Sequence, residues 1–473
     1  MAGDALTDAD YNVAIGTYAL SSDTLGSKST ALGHNALYTQ NFTTATDSHN
    51  TAVGFHAGLA VTTGIQNVLI GALAGDALTS SNDNTAVGYR ALGNATTGNE
   101  NTAIGHTALF TNILSDRNVA VGVDALSVHN QATSVDSYNV AVGYAALTAN
   151  TTGDRNTAMG RDALLSNTTS DANTAVGYEA LKTVSTTEQS TAIGFQALRA
   201  NTAANNTAVG SGAMYTNTTG ANNVAVGMEA LRLNTTGTRN IAIGVQAMDG
   251  SDTENDNIAI GYQAMTTDNA GGVENIAIGN YALDALTSGD YNIAIGHNAQ
   301  SAATTGNRSV AIGVNALEVS DAARNTAVGF EALHLNTTGT NSVSVGGSAL
   351  QANTTGDSNT AIGGYAMYEN TTGADNTALG RNALYANTTA ANNTAVGKSS
   401  MLTNSTGTNN VAVGFDSLKA NTTANNNTAI GAYALQVNST GSECTAVGQS
   451  AMQQNTTGAN NIAVGKNAML ANT

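Results

Sequence analysis

The sequence predicts an all-β fold: a parallel β-solenoid or β-roll of about 27 coils. Three observations predict it. Nearly the same unit recurs every seventeen residues. Each unit carries a short run of Thr, Val or Ile closed by Gly. Each unit then runs into a polar stretch, most often Asn-Thr-Thr-Gly. A fixed short period marks a repeat architecture, and β-branched residues beside Gly mark strands and turns rather than helix.

The repeat is anchored on the Asn-like residue that precedes a small tetrapeptide, as at Asn12 in "NVAIG". This gives 27 units, the last at Asn461, and 21 of the 26 intervals are seventeen residues long. Two intervals of 21, from Ser29 to Asn50 and from Asn118 to Asn139, are the largest departures. Position 2 is Thr in 14 units and Val or Ile elsewhere; position 3 is Ala in 25. Position 4 is always aliphatic, and position 5 is Gly in every unit. Position 8 is Ala or Ser, and position 9 is Leu or Met in 24 units, with Gly58, Gly75 and Gln300 departing. Each unit therefore reads as a short strand, a Gly turn, a second short strand and a closing turn. With coils stacked at ~4.8 Å, the array predicts a rod of roughly 130 Å. The pattern spans 1–473, so a single repeat domain is expected, one that begins and ends mid-repeat without caps.

The first strand carries no charge on either face. Positions 2 and 4 share one face and are mostly Thr, Val or Ile; position 3 gives the other and is mostly Ala. A strand with no polar face is expected to be buried on both sides. A slender coil has one inside, which the Leu of position 9 can fill. The Ala face is then expected to meet other copies of the chain, making a trimeric rod in which small side chains allow close approach.

Composition narrows the partners. The 473 residues include 33 Asp plus Glu against 15 Lys plus Arg, a net charge of −18. That balance disfavours nucleic acid or an anionic membrane as partner. No apolar stretch approaches the ~18 residues of a membrane span, so no membrane insertion is expected. The single Cys444 permits no internal disulfide.

The pentapeptides "SVAIG" at Ser309, "NVAIG" at Asn12 and "NVAVG" at Asn223 resemble the head repeats of trimeric autotransporter adhesins, the YadA-like heads. The fuller form "NTAVGYRAL" with "NTTG" also resembles repeats in phage and large-virus tail-fibre proteins. The resemblance covers nearly all of the chain. It implies a left-handed parallel β-roll with three copies around one axis. It also implies a place outside the cell, on a cell surface or a virion, and a cell-surface or glycan receptor. The sequence departs from the adhesin heads in its longer period. No heptads and no set of amphipathic strands follow the repeats.

Chemistry is sparse. The seven His are scattered without metal-ligand spacing. "GKS" at Gly397 lacks the leading Gly of a P-loop, and its own Gly belongs to the turn column. "GG" at Gly271 and at Gly346 does not recur as a calcium-binding nonapeptide would. Asp154, Asp171, Asp290 and Asp357 stand at one loop column, where ordinary turn chemistry accounts for them. No catalytic residue, metal site or cofactor is expected, and the chain is not read as an enzyme. The two long intervals are expected to bulge outward, with Phe42 and His129 the candidates for partner contact. The expected function is a structural fibre or adhesin-head rod that supports attachment. The alternatives are a subunit of a free extracellular filament stacked end to end and, behind it, an ice-binding solenoid.

Overall fold

Each seventeen-residue unit folds into one coil with one three-residue strand, at positions 2 to 4 of the repeat. The computed structural model describes residues 1–267 and 272–471, so Gly271 and the last two residues, Asn472 and Thr473, lie outside the described part. The chain divides into two compact units, Met1–Gly237 and Thr238–Thr473. In the first, thirteen such strands run in parallel from Val13–Ile15 to Val224–Val226. Among the described residues of the second there are fourteen, from Ile241–Ile243 to Ile462–Val464. No helix occurs among the described residues. The parallel β-solenoid read from the period is the fold of each unit.

Register follows the repeat. Thr85, Ala86 and Val87 pair with Thr102, Ala103 and Ile104. The 21-residue intervals leave this register intact, with Thr30 opposite Thr51 and Val119 opposite Val140. Backbone bonds between coils continue beyond the strand: Thr107 N–H donates to Tyr89 O at 3.0 Å and Leu109 N–H to Ala125 O at 2.9 Å. Each coil is thus satisfied by its neighbours, as in other solenoids.

The second strand expected after the Gly turn does not form. Positions 6 to 11 are a run of turns, because positions 7 and 9 hold left-handed φ; Thr107 and Leu109 have φ of 52° and 50°. A left-handed residue cannot extend a strand. The same geometry disfavours β-branched residues: position 9 has none and position 7 has Thr107 alone. Leu and Met tolerate positive φ better than Val or Ile, whose branched Cβ crowds the backbone there.

The interior has an apolar and a polar side. Inside the array Ala of position 3, Ala of position 8 and Leu or Met of position 9 are fully buried, as at Ala103, Ala108 and Leu109, while at the last coil Met469 is exposed. This overturns the expected placement of the Ala column: it lines the inside of its own coil. Its small side chains leave room for position 9, and Val, Ile or Thr of positions 2 and 4 face outward. Where Ala becomes Leu69, the neighbours compensate. A Cβ on Gly58 or Gly75 would come within 2.7 Å of the Leu69 side chain, so two Gly replace two Leu. Close packing demands such volume exchange.

The polar side is built from two asparagine columns. Position 1 is Asn in 22 units, Ser in four and Cys444 in one. Asn101 Nδ2 donates to Ser115 O at 3.0 Å, and its Oδ1 accepts from Asn118 N at 3.0 Å. Position 12 repeats the device: Asn167 Nδ2 donates to Asn150 Oδ1 at 3.0 Å and to Ser170 O at 3.2 Å. Among the described residues both columns are buried except at the two end coils, where Asn12 and Asn461 are half-buried. Amide ladders of this kind satisfy the turn backbone inside the coil and fix coil against coil.

Candidate functional site

The outward strand face is an uncharged surface that recurs along each unit. Positions 2 and 4 carry no charged residue in any coil. Their side chains are half-buried to exposed: Ile104 is 38% exposed, Ile243 37% and Leu379 45%. Beyond the Gly turn, position 6 adds aromatic side chains that stand in water, among them Phe55, Tyr89, Tyr144, Phe195, Tyr262, Phe330 and Phe415. Tyr178 and Phe195, on successive coils, stack with centroids 5.3 Å apart. Charge collects elsewhere, at position 17. There Arg117 pairs with Glu100 at 3.0 Å and Arg239 with Asp256 at 2.6 Å. These exposed pairs contribute little stability, but they set a charged column apart from the uncharged strand face.

The two residues expected to meet a partner are not presented to one. Phe42 is 5% exposed and His129 is fully buried. The long intervals do leave exposed residues, Thr43 to Ala45 and Ala132 to Ser134, but Phe42 and His129 turn inward. The reason is economy of burial: an aromatic ring gains by leaving water, and an imidazole can replace an amide in a buried column. Phe42 packs over Gly26, and its N–H donates to the buried Asp23 carboxylate at 3.3 Å. Gly26–Ser27 also pairs in parallel with Thr46–Asp47, tying this loop to the coil before it.

His129 occupies position 12, between Asn112 and Asn150 of the ladder. Asn150 Nδ2 lies 3.1 Å from its Nδ1, and Ser137 Oγ lies 3.1 Å from its Nε2. An amide N–H can only donate, so Nδ1 accepts and Nε2 carries the proton. Burial lowers the His129 pKa to about 4. Protonation would set an N–H against the Asn150 amide donor. With the folded pKa below the ordinary 6.5, the unfolded chain takes the proton first. Stability is therefore complete above pH 6.5 and is lost as pH falls toward 4, by about 3 kcal/mol. Denaturant midpoints at pH 7 and pH 4 test this: His129→Asn, which restores the ladder residue, should lose less stability than the native chain. An equal loss in both proteins refutes it.

The acidic loop column performs turn chemistry. Asp171 Oδ1 accepts from Asp154 N at 2.7 Å, Asp290 Oδ1 from Val273 N at 2.9 Å, and Asp357 Oδ1 from Thr340 N at 2.7 Å. Burial raises the Asp154 pKa, against hydrogen bonds from Ser137 and Gln131. Among the described residues no group of three or more His, Cys, Asp or Glu is arranged to hold a metal ion. No described helix is long and apolar enough to cross a membrane. The asparagine ladders were not foreseen as interior features. The signal was present in position 1, where 26 of 27 residues are Asn or Ser and the remaining one, Cys444, is small and buried. No family model matches the chain, and no curated protein matches it.

Proposed function

We propose that the chain is a structural rod, the shaft or head of a fibre exposed on a cell or virus surface, where it supports attachment. In this reading it is a homotrimer whose copies meet through the outward strand faces. The observation that carries it is the uncharged stripe of positions 2 and 4. It recurs on every described coil and remains half in water within a single chain. Apolar area left exposed at this regularity marks an interaction surface. At ~25 cal/mol per Å² even a modest burial per coil adds up along the array to a long-lived assembly. The sequence resemblance to adhesin heads and tail-fibre repeats supports the same reading, with the contact face changed from Ala to Val and Ile.

Native mass measurement tests it. The unmodified chain should be an oligomer of the 47.4 kDa protomer, and electron micrographs should show finite rods. Ile243→Glu combined with Ile260→Glu puts like charges on the outward face, where a single coil can tolerate them. That variant should keep its β-sheet circular dichroism and fall to a monomer. A native chain that is monomeric at micromolar concentration overturns the reading.

A further inference from the structure

We propose that a notch around Gly212, in the first unit, binds a single pyranose ring of a saccharide. The proposal stands on one chain and does not depend on how copies assemble. It starts from a gap in a column. At position 6, successive coils carry Phe195, Ser211 and Met228, so one bulky side chain is missing between two others. At position 7 the same coil has Gly212, between Gln196 and Glu229. A Cβ on Gly212 would meet only the Glu229 side chain, at 3.7 Å, so the space above it is open. With coils ~4.8 Å apart, a missing row leaves roughly 9.6 Å between the centres of the flanking positions and, less their thickness, roughly 6 Å of clear width, enough to admit one saturated ring lying on Phe195. The resulting notch has a volume of about 220 Å³ and is lined by Phe195, Gln196, Tyr215, Glu229 and Arg232 besides the two small residues.

The lining has the chemistry of a sugar site. Phe195 is 53% exposed, and its outer face can meet the C–H face of a pyranose. Its other neighbour, Tyr178, is stacked on it at 5.3 Å and fixes the ring. Tyr215 is held by Arg199, whose guanidinium lies 5.7 Å from the ring centroid. Glu229 supplies acceptors and Gln196 an amide, itself anchored by Nε2 on Glu179 at 2.8 Å. The pointer to a ligand is Arg232. Its Nε is buried and has no hydrogen-bond partner, and its side chain lines the notch. Because Nε holds no partner, the guanidinium is not fixed through it, and the side chain can turn a donor toward a ligand hydroxyl in the notch. Donors, acceptors and an aromatic platform around one ring-sized space match a polyhydroxylated ring better than an aliphatic or purely ionic ligand. The notch lies past the Gly turn from the strand face assigned to assembly, so both surfaces can act together.

The test uses the full chain and four probes at millimolar concentration: glucose, galactose, mannose and N-acetylglucosamine. Saturation-transfer NMR should show transfer to the ring protons of at least one. Ser211→Tyr restores the bulky column residue and fills the notch at an exposed position, so transfer should disappear while circular dichroism is unchanged. Arg232→Gln should weaken transfer without abolishing folding. No transfer from any probe overturns the proposal, as does transfer that persists in Ser211→Tyr. Loss of binding in these variants with native mass unchanged separates this site from the assembly face.

Discussion

Replacing Ala242 and Ala259 with Glu is expected to unfold the coils that carry them rather than to separate folded chains. Both Ala side chains are fully buried, and they pair with each other across adjacent strands, Ile241 to Ile258 and Ala242 to Ala259. A carboxylate there would enter the apolar side of the interior, among the Ala of positions 3 and 8 and the Met248 and Met265 side chains. It must either ionise in an apolar site or carry its proton at neutral pH, and its bulk collides with position 9. Each substitution should cost about 3–5 kcal/mol. Circular dichroism at neutral pH should lose β-sheet signal and thermal melting should shift sharply downward. A folded, monomeric double variant would mean that the Ala column faces other chains after all. The contrast with Ile243→Glu and Ile260→Glu is the decisive feature. Neighbouring residues on one strand should give opposite outcomes, loss of the coil for one pair and loss of the oligomer for the other.

Gly105→Ala should be the most damaging single methyl addition in its coil. Gly105 has φ of +142°, outside the range of ordinary L residues, and an added Cβ would lie 2.3 Å from the Gly122 carbonyl oxygen of the next coil. Backbone strain and overlap together should cost about 4 kcal/mol. The obstacle is backbone, which cannot swing aside as a side chain does. Hydrogen exchange should show the damage centred on the strands Thr102–Ile104 and Val119–Val121. Exchange protection there equal to that of the native chain would refute it.

The period made the strand and the Gly turn legible, because both depend on residue types that recur without exception in their column. Inside and outside were harder to separate. Ala on one face and Thr, Val or Ile on the other are both compatible with burial, and the reading that gave Ala to the neighbours was wrong. The discriminating feature lies in the variation. Position 3 is held to Ala except where Gly58 and Gly75 make room for Leu69 or where Ser344 finds the Ala349 carbonyl at 2.7 Å. Position 2 passes freely between Thr and Ile, as a face partly in solvent allows. The missing second strand was hidden for another reason. Left-handed φ at a leucine is not announced by the residue itself, only by the lack of Val and Ile across the whole column. His129 and Phe42 were placed on bulges because they fall in long intervals. Counting from the anchor puts His129 in the asparagine column, which is where the structure has it.

The position 12 asparagines also bear on biosynthesis. Twelve of them, from Asn150 to Asn455, begin Asn-Thr-Thr or Asn-Ser-Thr, the acceptor triplet for N-linked glycosylation. Every one is fully buried, and its amide nitrogen already donates within the ladder, as Asn370 does to Asn353 Oδ1 at 2.7 Å and Gly373 O at 3.0 Å. An oligosaccharide on that nitrogen would remove donor capacity and could not be enclosed by the coil. Folding and modification therefore exclude each other at these sites. In a cell that glycosylates secreted chains, each triplet becomes a race between coil closure and the transferase, and a chain that loses the race at one coil carries a break in its stack.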